Sequence, residues 1–136
     1  MAEGAVAEII APKLGEIRNE KGAPVMVDKN FMTVSSVLYD AVYIPGGKNS
    51  VAGLTSEADA IYFINQAYKH CKAIAVDIDA EALIAKTSIG SLLKENKTLP
   101  GLVFATKQQN NLPASFIKAI ALHRFWERET MSKVPA

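Results

Sequence analysis

The apolar positions of the chain fall into short blocks of differing period, separated by polar or glycine-bearing joints. Residues 36–47 rise into Ala41-Val42-Tyr43-Ile44, apolar at every position, and stop on Pro45-Gly46-Gly47. A run without a polar face suits a strand covered on both sides of a parallel sheet, so the pattern predicts a central strand here. Pro45 removes an amide donor, and two glycines let the backbone turn sharply and expose its N–H groups. Ligands of open α/β sheets bind at such strand ends, although Pro-Gly-Gly also reads simply as a turn.

Upstream, Ala5 to Ala11 reads as a strand, Pro12 to Gly22 as a solvated connection, Pro24 to Val27 as a short strand and Asp28-Lys29-Asn30 as a turn. Lys48 to Leu54 reads as a loop or a single helical turn, with Ser56 as N-cap of the next helix. From Glu57 to Cys71 the residues Ala60, Phe63, Ile64, Ala67 and Cys71 recur on one helical face, and Lys72 to Val76 is again a short apolar run. Strand, helix and strand in that order predict parallel pairing. Asp77-Ile78-Asp79 ends this strand, helical spacing resumes over 80–86, and residues 88–99 read as a helical turn and a polar loop. Leu102 to Ala105 is a strand, and Pro113 opens a last helix. That helix is apolar almost all round from Phe116 to Leu122 and so expected to be covered on more than one side.

Ala2-Glu3-Gly4 resembles the end of a helix, as though the domain began partway through a strand-helix unit, so an earlier strand and helix are expected upstream. The 136 residues, 49% apolar and 21% charged, suit one domain over 1–136 with one core. A formal charge of +1 gives no footprint for nucleic acid or an anionic membrane. The chain shows no membrane-spanning run and no secretion signal, which together predict a cytoplasmic protein. One cysteine, Cys71, and two separated histidines offer neither an internal disulfide nor a metal-ligand spacing, so no metal is expected.

Two places could carry chemistry. The Gly46 and Gly47 amides could form an anion nest, and Asp77 with Ile78 lies at a strand-to-helix elbow of the kind that presents a nucleophile. A carboxylate there opposes a developing oxyanion and has no activating partner in sequence, so Asp77 and Asp79 read more readily as turn or capping residues. Cys71 lies in the buried stripe, which favours an inert thiol; His70 beside it points elsewhere on the helix. His123, Arg124 and Trp126 could form a polar cluster, a haem-edge contact, an interface or a solvated helix end.

Ser35 to Gly47, Ala67-Tyr68-Lys69-His70-Cys71-Lys72-Ala73-Ile74 and Phe116 to Glu129 together resemble the carboxyl-terminal domain of large-subunit haem catalases. With the strand before Pro12 and with Leu14-Gly15, the similarity spans nearly the whole chain. The resemblance implies a flavodoxin-like α/β domain of the class I glutamine amidotransferase and PfpI-like superfamily. Active members carry cysteine at the elbow, where this chain has Asp77; their site glycines match Gly46 and Gly47, and their acidic partner comes after a first strand not present here. Haem, its ligands and the peroxide channel belong to the catalase core.

The expectation is therefore a non-catalytic, oligomer-stabilising domain, with the catalase core and further copies as partners and Phe116, Ile120, Phe125 and Trp126 as candidate interface. The alternatives are a stand-alone PfpI-like hydrolase or glyoxalase using Cys71 or Asp77, and a small-anion binding module at Gly46, Gly47, Asp77 and Ile78. In the flavodoxin-like strand order, the strand expected upstream would lie between the strand at 5–11 and the strand at 41–44. Without it, the two edges are expected to close on each other or to pair with another chain.

Overall fold

A computed structural model of the chain describes residues 4–18, 21–95, 99–105, 112–122 and 125. Its centre is a parallel sheet in which β5 (Ala41–Ile44), β6 (Ala73–Val76) and β7 (Leu102–Phe104) lie in that order, with β6 in the middle. β6 has both of its edges paired, and all four of its residues are buried. The expectation of a central strand at 41–44 is corrected: among the described residues β5 is an edge, and Tyr43 on it is 49% exposed. Both runs are apolar, but tyrosine tolerates an edge because its hydroxyl can face water or a polar partner, whereas Ala-Ile-Ala-Val has no polar atom to expose.

Side chains of the sheet alternate between two layers. Ile44, Ile74 and Val76, with Val42, Leu102 and Phe104 beside them, enter the larger core under α1 (Lys48–Thr55), α2 (Ala58–Lys69), α3 (Glu81–Ala85) and α4 (Ser88–Glu95). Ala41, Ala73 and Val103 face the opposite way, against α5 (Leu112–Ala121) and Phe125. The result is a helix-sheet-helix sandwich, the architecture that a strand, helix, strand alternation requires. α5 lies against β6 and β7, where Ala119 is buried and Phe116 and Ile120 are half-buried. Ile117 and Leu122 stand 44% and 67% exposed, so the helix is covered on its sheet side and not, among the described residues, on its outer side.

Several local expectations change. Within 5–11 only β1 (Ile10–Ala11) is a strand, and it pairs in parallel with β4 (Lys29–Asn30) from the expected turn. Asp28 ties the pair together, accepting the Ile9 amide at 2.6 Å. Residues 5–9 are exposed, Val6 by 93%, and among the described residues no strand lies beside them to bury their apolar side chains. The connection at 12–22 contains β2 (Gly15–Arg18), an antiparallel hairpin with β3 (Pro24–Val27); all four residues of β2 are exposed, so no apolar alternation marks it. Residues 36–38 form a 3-10 turn, so the strand begins only at Ala41.

α1 runs for eight residues rather than one turn, and Ser56 therefore closes it, its hydroxyl donating to the Gly53 carbonyl at 2.9 Å. The N-cap of α2 is Glu57. α4 is likewise a full helix of eight residues. α2 ends at Lys69, and Cys71 comes after it at φ 59°, buried at 2% exposure. The thiol is buried as expected but sits on the turn leaving the helix, where the amides of Cys71 and Lys72 satisfy the Tyr68 and Ala67 carbonyls at 3.0 Å each.

Phe31 and Tyr39 pack on Phe63, with ring centroids 5.6 and 6.1 Å away, and the Tyr39 hydroxyl donates to Glu8 Oε2 at 2.6 Å. Burial first, then this hydrogen bond and the charges of Glu8 and Asp28, push the Tyr39 phenol up from 10.0 to about 12. The neutral phenol is thus favoured by folding, and its contribution is complete below pH 10.0 and lost as pH rises towards about 12. Urea midpoints measured across that window should fall, and Tyr39→Phe should flatten the fall.

Candidate functional site

The carboxyl ends of β5 and β6 lie side by side, Ile44 opposite Val76, so the segments leaving the two strands meet in space. After β6 the Asp77 amide donates to the Ile44 carbonyl at 3.0 Å, which fixes the elbow against the end of β5. Asp77 is extended, with φ −69° and ψ 158°, and Ile78 to Ala80 turn directly into a 3-10 helix leading to α3. After β5, Pro45 and Gly46 lead to Gly47, which adopts φ 101° and caps the N-terminus of α1.

Both oxygens of the Asp77 carboxylate are engaged. Oδ1 accepts the Ile78 amide at 2.6 Å, and Oδ2 accepts the Tyr43 hydroxyl at 3.0 Å. Burial, the bond to Asp77 and that residue's charge together raise the Tyr43 pKa. Gly46 is in close approach: a Cβ there would lie 3.0 Å from Asp77 Cγ and 3.2 Å from Oδ1.

The structure therefore brings together Gly46, Asp77 and Ile78, with Gly47 one residue further on at the head of α1. A carboxylate of the chain itself lies against the glycine cradle, where its charge and bulk work against a second anion. An elbow nucleophile needs a base beside it and donors left open for the oxyanion. Asp77 instead takes up the Ile78 amide, the donor next to the elbow. Tyr43 is the participant that sequence reading misses; its signal is a lone hydroxyl-bearing residue in an otherwise aliphatic strand.

The remaining candidates lie apart from this pair. Asp79 lies beyond the elbow on an open concavity of about 670 Å³, with Lys48, Thr55 and Lys86 among its lining. A second, of about 390 Å³, is bounded by Ile84, Leu93 and Phe104. Neither is lined by the histidine, cysteine or tyrosine that would ligate a haem iron. No group of three or more histidine, cysteine, aspartate or glutamate residues that could hold a metal occurs among the described residues. The described residues that line these two concavities do not fit a haem. His70 forms the C-cap of α2. Phe116, Ile120 and Phe125 make up the second apolar cluster behind Ala73; Trp126, His123 and Arg124 lie outside the described residues. No helix among the described residues is long and apolar enough to cross a membrane.

Residues 1–130 match the family model for the C-terminal domain found in long catalases. Catalase HPII of Mycobacterium avium is 36% identical over 141 residues, covering 98% of this chain and 20% of that protein. Catalase-2 of Bacillus subtilis is 36% identical over 130 residues, covering 93% of this chain and 17% of that protein. The chain thus spans about a fifth of the length of the curated relatives it matches. Among solved structures, a ThiJ/PfpI domain protein from Brachyspira murdochii superposes with a TM-score of 0.68 at 13% identity, covering 89% of this chain and 83% of its own. Drosophila melanogaster DJ-1beta gives 0.53 at 12% identity, covering 87% and 75%. At these identities the likeness is one of fold.

Proposed function

Because the chain belongs to the family of C-terminal domains found in long catalases, we propose that it acts as a non-catalytic, oligomer-stabilising domain of a cytoplasmic large-subunit catalase. The haem core of that parent, on the rest of the polypeptide, would decompose hydrogen peroxide to water and oxygen. The observation that carries the non-catalytic reading is the elbow: a superfamily nucleophile would sit at Asp77, and Asp77 is used up by Ile78 and Tyr43. Support for a role in assembly comes from the surfaces left open. β5 has one edge unpaired among the described residues, and Ile117 on α5 and Leu122 just after it are exposed to solvent. A bare strand edge flanked by apolar side chains invites another strand.

The test compares the parent enzyme with a version ending before this region. The shortened enzyme is expected to keep its haem spectrum while dissociating at lower temperature or lower denaturant. Unchanged assembly and unchanged melting would remove the stabilising role. Oxygen evolution from the purified 136-residue chain on adding peroxide would remove the non-catalytic one.

A hydrolase or glyoxalase working through Cys71 is the competing reading, and the 2% exposure of that residue stands against it. Iodoacetamide under native conditions is expected to leave Cys71 unlabelled, with full labelling after denaturation. Rapid native labelling at neutral pH would mark an accessible thiolate and favour the enzyme.

A further inference from the structure

The hairpin of β2 and β3 is unusual in its uncovered surface. All four residues of β2 are exposed, and on β3 only Val27 is buried. The strands pair Glu16 with Met26 and Ile17 with Val25, so Ile17 and Met26 fall on opposite faces, at 42% and 65% exposure. Leu14, at the base, is 60% exposed. The arm is held by its own ladder and by Arg18, whose Nη1 donates to the Gly22 carbonyl at 3.0 Å. A two-stranded hairpin with no third strand is marginal in water by itself, and an arm with large apolar residues on both faces gains stability from contact.

Resting on the reading that this chain is a domain of a long catalase, we propose that the hairpin is a docking arm. Met26 on one face, with Leu14 at the base, would seat it in a shallow apolar strip on the catalase core of the same polypeptide. The size of the arm selects this occupant over a second copy or a free protein. A stable interface between separate proteins takes about 800 Å² and roughly 20–30 residues a side. The arm offers two four-residue strands. A patch that small holds when its partner is tethered, because linkage raises the effective concentration to the millimolar range. The match to this chain covers only 20% of the Mycobacterium avium relative, so in such a protein a much larger body is attached.

Amide hydrogen exchange at residues 15–18 and 24–27, in the parent enzyme and in the 136-residue chain alone, tests the arm. If the tethered core stands at about ten times the dissociation constant of the contact, the undocked arm becomes about tenfold rarer and exchange slows in proportion. Methionine oxidation by tert-butyl hydroperoxide gives a second readout. Met26 is expected to be protected in the parent, while Met32, 83% exposed on the turn after β4, serves as the internal reference. Equal exchange in parent and chain, with Met26 oxidised as fast as Met32, would overturn the proposal. So would slowing in the isolated chain that grows with its concentration, since the occupant would then be a second copy. A parent that decomposes no peroxide would instead defeat the catalase reading, whatever the arm does.

Discussion

Ile74→Ala is expected to lower the unfolding free energy by about 2–5 kcal/mol, the range for removing a large aliphatic side chain from a closed core. Ile74 is 0% exposed on the middle strand and points into the larger cluster with Val76, Leu83 and Ile89. Strands on both sides and helices above leave little freedom for the hole to collapse. Tyr43→Ala on the neighbouring edge strand should cost less, since that residue is already 49% exposed. Urea unfolding of the two variants should separate them by midpoint at similar slope. Equal losses would mean that the chain does not place β6 at its centre.

Gly90→Ala is expected to destabilise the domain even though alanine is the better helix former by about 1 kcal/mol. A Cβ at Gly90 would stand 2.8 Å from Ala85 Cα, 2.8 Å from the Ala85 carbonyl oxygen and 2.9 Å from the Ile84 carbonyl oxygen. All three are backbone atoms, so no side chain can swing aside and α4 must move off α3. Overpacking of this kind costs typically about 1–3 kcal/mol, and Gly90→Val should lie beyond alanine in the same direction. At this chain length each kcal/mol corresponds to roughly 4 °C in the thermal midpoint, which makes the effect readable in a melting curve. A midpoint that rises would show that helix propensity outweighs the packing of α4 on α3.

The parts legible in the sequence are those whose neighbours are close in sequence. The stripe Ala60, Phe63, Ile64, Ala67 marks α2 by its own period, and the parallel sheet is implied by the strand, helix, strand order. Which apolar strand lies in the middle is not legible, because β5 and β6 carry similar hydrophobicity and their ranks depend on the strand that pairs with each edge. Gly15 to Arg18 escapes for the opposite reason: a hairpin exposed on both faces need not alternate, and charged residues there look like a loop. At the site, Asp77 and Gly46 stand out singly, yet their approach depends on two strand ends set in register. The Tyr43 hydroxyl escapes notice because a pairing across 34 residues leaves no local trace.

The burial of Cys71 has a consequence for how the protein ages. The thiolate attacks a peroxide oxygen and expels hydroxide, and the oxidation ladder from sulfenic to sulfonic acid needs access to the sulfur at this first step. A thiol 2% exposed, with its backbone locked at φ 59° between α2 and β6, meets oxidant only when that turn opens. Two folded copies are therefore not expected to become cross-linked through this residue. The oxidation state of the one cysteine becomes a cumulative record of opening: in a population kept in peroxide, the molecules about 16, 32 or 48 Da heavier at this sulfur, by one, two or three added oxygens, are those that have at some time unfolded there.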